Sequence, residues 1–235
     1  RLFSEENMKI YGNPDLSNIK TIIFDFDETM YYSPTVHETY VGYIKKTVMK
    51  LTGKAEQEVL SLMHKYGFTS TGESRVSFGK NCEKFGVTKE QWDRYRITDF
   101  FQIDYATAKI VPNVVYKMLA LKYSLYVVSN EVYDNVLYKA NKLNIDLSPF
   151  TKIYAPTVDQ LKNYLTKSDV YKLIREKERC SFDEMMVIGD RYSVDIQPLE
   201  ELGGNGVLIK NVDEITSFFA DYGKDDQSDL KKVNA

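Results

Sequence analysis

Cysteine and histidine are scarce in this chain, which has two of each among 235 residues. Two cysteines, Cys82 and Cys180, do not make a disulfide framework, and we interpret them as unpaired thiols in a reducing, cytoplasmic compartment. No zinc-binding spacing such as H-E-x-x-H or C-x-x-C occurs. A metal site built on histidine and a catalytic triad centred on histidine are therefore disfavoured, and His37 and His64 are expected on helices as surface or packing residues.

An excess of positive charge is also missing, because 31 Lys and Arg face 34 Asp and Glu, for a formal net charge of -3. Such a balance argues against a nucleic-acid polymer or an anionic membrane as partner. No apolar run is long enough to span a bilayer, and the first ten residues lack the apolar stretch of a signal peptide. Because the sequence starts at Arg1 and not at Met, the question whether a leader precedes it is left open. No G-x-x-x-x-G-K loop is present, so we expect no nucleotide cofactor.

Short unbroken apolar runs are the main structural signal. Runs of this kind are typical of strands buried on both faces of a parallel sheet. The five runs are Thr21–Phe24, Leu125–Val128, Lys152–Ala155, Met185–Ile188 and Gly206–Ile209. Stretches with apolar residues at helical spacing lie between them, among them one opened by Pro112 with Val114, Val115, Met118 and Leu119 on one face. Alternating strands and helices predict an α/β, doubly wound, Rossmann-like parallel sheet.

The alternation is interrupted between residues 33 and 108, where only helical patterns occur. Two sequence capping boxes, Thr35 with Glu38 and Thr88 with Gln91, mark helix starts there. We therefore predict an α/β core formed by residues 1–32 and 109–235, with a small all-helical cap, residues 33–108, inserted after the first strand. Residues 1–20 are expected to form a strap leading into the core, and the charged tail from Gly223 to fray.

Polar residues follow three of the predicted strands. Asp25 and Asp27 follow the first run, Ser129 and Asn130 the second, and Asp190 the run that ends near Gly189. In an open parallel sheet, ligands bind beyond the carboxyl ends of the strands, so these groups should converge. Closely spaced carboxylates are costly without a cation, and magnesium prefers carboxylates, waters and phosphate oxygens.

Together with Lys167 and Asp195, these residues form an ordered set that resembles the haloacid dehalogenase superfamily. Its four motifs occur in order: D-x-D-x-T at Asp25, Asp27 and Thr29, then Ser129, then Lys167, then G-D-x-x-x-x-D ending at Asp195. The resemblance runs from about Lys20 to Val212, and the helical insertion is similar to the family's C1-type cap. Many relatives have Gly where this chain has Glu28, and Leu where it has Met30.

The resemblance implies a Mg²⁺-dependent phosphohydrolase in which Asp25 attacks phosphorus and forms an aspartyl-phosphate. Asp27 would protonate the leaving oxygen, later deprotonate water, and offer its backbone carbonyl to the metal. Asp25 and Asp190 would ligate the metal by their side chains, and Asp195 would support the metal site from behind these ligands or through a water. Ser129 and Lys167 would hold the phosphoryl oxygens, with Asn130 and Thr29 as further substrate-binding residues.

Alternatives within the same fold are a phosphomutase, a sugar-phosphate or phosphoglycolate-type phosphatase, and a non-catalytic binding protein. A signalling receiver domain is disfavoured, because receivers lack the helical insertion and place the phospho-acceptor on a later strand. The cap stretch Tyr66-Gly-Phe-Thr69 resembles a segment of the superfamily's pyrimidine 5′-nucleotidases, so Tyr66, Phe68 and Thr69 are expected to contact substrate. The predicted partner is a small phosphorylated metabolite, and the predicted state a monomer or weak homodimer.

Overall fold

A computed structural model describes residues 8–68, 78–99, 105–161 and 163–220. The chain divides into two compact units, one formed by Arg1–Tyr32 and Lys109–Ala235 and the other by Ser33–Ala108. The predicted fraying of the tail from Gly223 concerns residues outside those described. No helix in the described ranges is long and apolar enough to cross a lipid bilayer.

A six-stranded sheet forms the centre of the first unit. Its strands are β1 (Lys9–Tyr11), β2 (Thr21–Phe24), β5 (Ser124–Val128), β6 (Lys152–Tyr154), β7 (Met185–Gly189) and β8 (Asn205–Leu208). They lie in the order β1-β8-β7-β2-β5-β6, and all neighbouring pairs are parallel except β1 with β8, which is antiparallel. The central strands β2 and β7 are buried at every position, as their unbroken apolar sequences predict.

The segment before β2 differs from the predicted strap, because residues Lys9–Tyr11 add an edge strand to the sheet. Ile10 pairs with Val207 of β8, and the flanking positions of β1 are partly exposed. A three-residue strand at an edge needs no unbroken apolar run, so no apolar pattern marks it in the sequence. The cap insertion accordingly follows the second strand of the chain and not the first.

Helices of the first unit flank the sheet. Among them are α5 (Asn113–Ala120), α6 (Tyr133–Leu143), α7 (Lys167–Glu178) and α8 (Gln197–Glu200). The predicted buried face of α5 is wrong in part, since Tyr116 and Leu119 are buried while Val114 and Met118 are exposed. Helical residues follow again at 213–220.

Helix α7 is fixed at both of its ends. At its start, the Thr166 hydroxyl accepts from the backbone N–H of Asp169, whose carboxylate accepts from the backbone N–H of Thr166 in return. At its end, Glu178 accepts hydrogen bonds from the Ser124 hydroxyl at 2.7 Å and from the Tyr126 hydroxyl, both on β5. Burial, followed by the bond to Glu178, raises the pKa of Tyr126 well above its usual value, so the phenol stays a donor.

A two-stranded antiparallel ribbon marks the points where the chain leaves and re-enters the first unit. It consists of β3 (Tyr31–Tyr32) and β4 (Lys109–Ile110), with Tyr31 paired to Ile110. The backbone N–H of Val111 extends the ribbon by donating to the carbonyl of Met30 at 3.1 Å.

The second unit is helical throughout its described residues. Its helices are α1 (Pro34–Thr52), α2 (Glu56–Lys65), α3 (Phe78–Asn81), which runs into a 3₁₀ turn (Cys82–Phe85), and α4 (Lys89–Asp99). The Thr88–Gln91 capping box is confirmed by bonds of 2.9 and 3.1 Å, whereas Thr35 lies inside α1 and does not cap it. A core of aromatic and aliphatic side chains, with Phe78, Phe85 and Trp92 at its centre, holds these helices together. The predicted fold class, a parallel α/β core with a helical insertion, is confirmed.

Candidate active site

Three carboxylates meet at the carboxyl edge of the sheet. Asp25 follows β2, Asp190 follows the neighbouring parallel strand β7, and Asp195 lies in the turn after it. One oxygen of each carboxylate lies within 4.8 Å of the other two. The exposed fractions are 2% for Asp25, 5% for Asp190 and 0% for Asp195. Their convergence follows from the parallel pairing of β2 with β7, which brings both strand ends to one edge.

Glycine at position 189 makes room for Asp195. A Cβ atom there would lie 2.4 Å from the Cβ of Asp195, closer than real atoms approach. The Asp195 carboxylate in turn accepts from the backbone N–H of Arg191 at 2.9 Å, and its backbone carbonyl accepts from the hydroxyl of Tyr171 at 2.9 Å. Asp195 therefore closes the turn after β7 while presenting its other oxygen to the cluster.

The Lys167 side chain bridges two of these acids. Lys167 is the first residue of α7, is 6% exposed, and donates to Oδ1 of Asp25 and to Oδ1 of Asp195, each at 2.6 Å. Burial alone would lower the pKa of Lys167, but the two carboxylates raise it above its ordinary value. The side chain is therefore an ammonium at any physiological pH.

The acids of the cluster differ in proton affinity. Burial, followed by the charge of Asp195, raises the pKa of Asp25 to about 6. Burial also acts on Asp195, but Lys167 and Arg191 outweigh it and hold the pKa of Asp195 below its usual value. Burial would lower the pKa of Arg191, yet Asp195 and Asp190 raise it. The cluster thus sets three carboxylates against two cations and keeps an excess of negative charge.

A divalent cation fits this excess. Oδ2 of Asp25 is buried and has no hydrogen-bond partner in the described part of the chain. Carboxylate oxygens are the ligands that Mg²⁺ takes in proteins, usually one or two of them with waters and phosphate oxygens. Asp25 and Asp190, with Asp195 beside them, therefore form a donor set suited to Mg²⁺.

Asp27 lies apart from this cluster, with its side chain 31% exposed. Its Oδ1 accepts two hydrogen bonds, one from the hydroxyl of Tyr31 at 2.6 Å and one from the ammonium of Lys139 at 2.7 Å. Lys139 also contacts Oε2 of Glu131 at 3.0 Å. Two donors on one oxygen fix the rotation of the carboxylate.

Ser129 directly follows β5, the other parallel neighbour of β2. Its backbone N–H donates to the carbonyl of Tyr154 at 2.9 Å, and its hydroxyl oxygen accepts from the N–H of Glu131 at 3.0 Å. The hydroxyl proton stays available for another acceptor. Asn130 is exposed, whereas Thr29 is fully buried and its hydroxyl has no partner among the described residues.

The cap residues expected to contact substrate are placed differently. Phe68 is 5% exposed and packs inside the second unit, with ring centroids 5.7 Å from Phe78 and 5.4 Å from Phe85. The ring of Phe68 is thus part of the cap's own core, and its contact with substrate stays a prediction. Tyr66 is half-buried, and Thr69 lies outside the described residues.

Lys139, Glu131 and Tyr31 are site residues that the motif search missed. One signal was available for Lys139. It stands in line with Val136 and Leu143 on the apolar face of α6, at spacings of three and four residues, where a charged side chain is unexpected. Buried lysines are rare unless paired, so a lysine on that face indicates a buried acidic partner.

Comparison with known proteins places this site in a family. Residues 19–203 match the family described as haloacid dehalogenase-like hydrolase. A haloacid dehalogenase-like hydrolase from Streptococcus pneumoniae is similar in structure, with a TM-score of 0.51, 18% identity, and coverage of 81% of this chain and 84% of that one. A HAD phosphatase from Thermococcus onnurineus has a TM-score of 0.50 and 14% identity, with coverage of 86% and 98%. A search of curated proteins finds no significant match. Because the matched segment includes all four motif positions and most of the chain, this protein belongs to the haloacid dehalogenase-like hydrolase family.

Proposed function

We propose that the protein is a Mg²⁺-dependent phosphatase that hydrolyses small organic phosphate monoesters through an aspartyl-phosphate on Asp25. The observation that carries the proposal is the difference between the two oxygens of this buried carboxylate. Oδ1 lies 2.6 Å from the ammonium of Lys167, and Oδ2 has no protein partner among the described residues. A phosphoryl group that reaches Oδ1 therefore meets a fixed positive charge, and Oδ2 is left for a cation.

The first step forms a bond between Oδ1 of Asp25 and phosphorus and breaks the bond from phosphorus to the leaving oxygen. Asp27 donates the proton that the leaving oxygen takes up. In the second step water attacks phosphorus, Asp27 accepts a proton from that water, and the bond to Asp25 breaks to release phosphate.

Charge on the phosphoryl oxygens is offset by groups that the fold already holds in place. Lys167 supplies a buried ammonium, and Ser129 a hydroxyl whose oxygen is fixed by the N–H of Glu131. Mg²⁺, when bound by Asp25 and Asp190, would orient the phosphoryl group and offset its negative charge. Preorganised groups of this kind need no rearrangement during the reaction.

Pyrimidine nucleoside 5′-monophosphates are the specific substrate that we propose. This choice of substrate is supported by the resemblance of the sequence around Tyr66 to pyrimidine 5′-nucleotidases. Tyr66 is half-buried and Phe68 is mostly buried, so Tyr66 offers the more accessible aromatic ring for a base in the described part of that segment. A panel of phosphorylated metabolites that includes pyrimidine and purine nucleotides tests this choice. If no pyrimidine nucleotide is hydrolysed, the specific substrate is wrong while the phosphatase assignment stands.

The assignment itself is tested with p-nitrophenyl phosphate in Mg²⁺ and in chelator. We expect turnover that requires the metal, and a loss of at least ~10³ in kcat for Asp25→Asn, which corresponds to ~4 kcal/mol of barrier. Asp134→Asn, the same change at an exposed position on α6, is the matched control and should retain full activity. Phosphate from a radiolabelled substrate should stay on acid-quenched wild type and not on Asp25→Asn. If Asp25→Asn kept a tenth of wild-type turnover, the nucleophile would be misassigned.

A further inference from the structure

Lys139 is the one buried lysine of α6, only 2% exposed, and the four motifs of the family do not include it. Its ammonium lies 2.7 Å from Oδ1 of Asp27 and 3.0 Å from Oε2 of Glu131. Removing an ammonium from water costs several kcal/mol unless it is paired and hydrogen-bonded. Both partners are therefore needed to hold Lys139 where it lies.

The contact with Lys139 makes the two carboxylate oxygens of Asp27 different from each other. Oδ1 receives the bonds from Lys139 and from Tyr31, whereas Oδ2 accepts no hydrogen bond within the described ranges of the chain. An oxygen that already accepts two strong donors is a poor site for a proton. Proton exchange with the leaving group and with water is therefore directed to Oδ2.

Glu131 connects this arrangement to the loop that carries Ser129. The backbone N–H of Glu131 donates to the hydroxyl of Ser129, and its Oε1 accepts from the N–H of Val132 at 2.7 Å and from the side chain of Asn135 at 3.2 Å. Its remaining oxygen faces Lys139. The turn after β5 thus places a phosphate-binding hydroxyl and, through Lys139, the carboxylate of Asp27.

We propose that Lys139 is a positioning residue for the general acid and base, holding Asp27 so that Oδ2 exchanges the proton. The proposal rests on the proposed phosphatase function. Protonation of the leaving oxygen matters most when that oxygen is strongly basic, as in an alkyl phosphate, and least for p-nitrophenolate. A defect in positioning Asp27 should therefore depend on the leaving group, whereas a defect in folding or phosphate binding should not.

The experiment compares kcat/KM for glycerol 2-phosphate and p-nitrophenyl phosphate, since kcat/KM includes departure of the leaving group but not the later hydrolysis. Lys139→Met, which keeps length and removes charge, should lower kcat/KM for the alkyl phosphate by ~10²-fold and change that for the aryl phosphate much less. Lys139→Arg should recover part of the loss. Lys142→Met, on the exposed face of the same helix, is the matched control and should behave as wild type.

A second variant covers the case in which Lys139→Met does not fold. Tyr31→Phe removes the other donor to Oδ1 of Asp27 and leaves no buried charge unpaired. It should change the ratio of the two kcat/KM values in the same direction by a smaller factor. An unchanged ratio in the folded variants overturns the role of Lys139. If wild type hydrolyses neither ester, or Asp25→Asn remains active, the phosphatase function fails instead, so the two failures are distinguishable.

Discussion

Replacing Asp25, the proposed nucleophile, with asparagine should stabilise the metal-free protein while it abolishes hydrolysis. Burial, followed by the charge of Asp195, raises the pKa of Asp25 from 3.8 to about 6. Because each tenfold change in proton affinity is worth about 1.4 kcal/mol, this raised pKa means that the ionised carboxylate costs the folded state up to about 3 kcal/mol. Asparagine carries no charge, and its side-chain oxygen can still accept from Lys167.

The direction of the pH dependence follows from the raised pKa. The folded state binds a proton at Asp25 more tightly than the unfolded chain does. The stability that this proton contributes is fully present below about pH 4 and is lost as the pH rises to about 6. The difference between wild type and Asp25→Asn should therefore be small near pH 4 and reach its full size above pH 6.

Thermal unfolding in chelator at about pH 8 and about pH 4.5 measures this difference. For a chain of this size, 1 kcal/mol moves Tm by about 2–4 °C, so Asp25→Asn should melt higher by up to about 6–12 °C at the higher pH. Mg²⁺ should raise the Tm of wild type more than that of the variant, because a ligand stabilises the state that binds it. Asp134→Asn is the control for an exposed carboxylate.

Two outcomes would refute the reasoning. A lower Tm for Asp25→Asn in chelator at the higher pH would mean that the contact with Lys167 outweighs desolvation. A difference that does not change with pH would mean that Asp25 is not the group whose proton affinity rises on folding.

Four further substitutions, one of them a control, test other parts of the structure. Gly189→Ala should lower the free energy of unfolding by ~1–3 kcal/mol and raise the Mg²⁺ concentration needed for activity, because the added methyl group displaces Asp195. Gly204→Ala is the control: its Cβ would lie 2.5 Å from Cγ of Leu199, so it should cost similar stability and leave the Mg²⁺ requirement unchanged. Glu28 has φ 58°, a backbone conformation that glycine adopts without strain. Glu28→Gly should therefore leave kcat unchanged and either not change the free energy of unfolding or raise it by up to ~1 kcal/mol. A lower free energy of unfolding in urea would contradict this. Phe68→Ala should cost ~3–5 kcal/mol in the same measurement and reduce the rates for all substrates equally; a loss confined to one substrate would restore its predicted binding role.

The core of the fold could be predicted because its strands are buried on both faces. Each of the five apolar runs became a strand to within a residue or two, and β2 agrees at both ends. The parallel pairing of β2 with β5 and β7 places the residues that follow these strands at one edge, so the convergence of the acids could be predicted with the strands. Glu28 illustrates a finer point, since the residue where relatives have Gly adopts the left-handed conformation that Gly favours.

Features that depend on pairing between distant segments could not be read in the same way. The edge strand β1 has three partly exposed residues and is defined only by its partner β8. The contact between Lys139 and Asp27 joins residues 112 positions apart, and no local sequence pattern predicts a pairing over that separation. The packing of Phe68 against Phe78 and Phe85 likewise joins separate segments, and the short motif around Tyr66 carries no sign of it.

Helix α7 connects the acidic cluster to the opposite end of β5. Its first residue, Lys167, contacts the carboxylate of Asp25, and Glu178 in its last turn accepts a hydrogen bond from Ser124 at the start of β5. Eleven residue steps of about 1.5 Å set these two points roughly 17 Å apart. Helices are stiff along their axis, so a substitution at Glu178 or Tyr126 that lets α7 slide by one ångström would move the ammonium by the same amount. The position of the Lys167 ammonium thus depends in part on the hydroxyls of Ser124 and Tyr126, which hold the far end of α7.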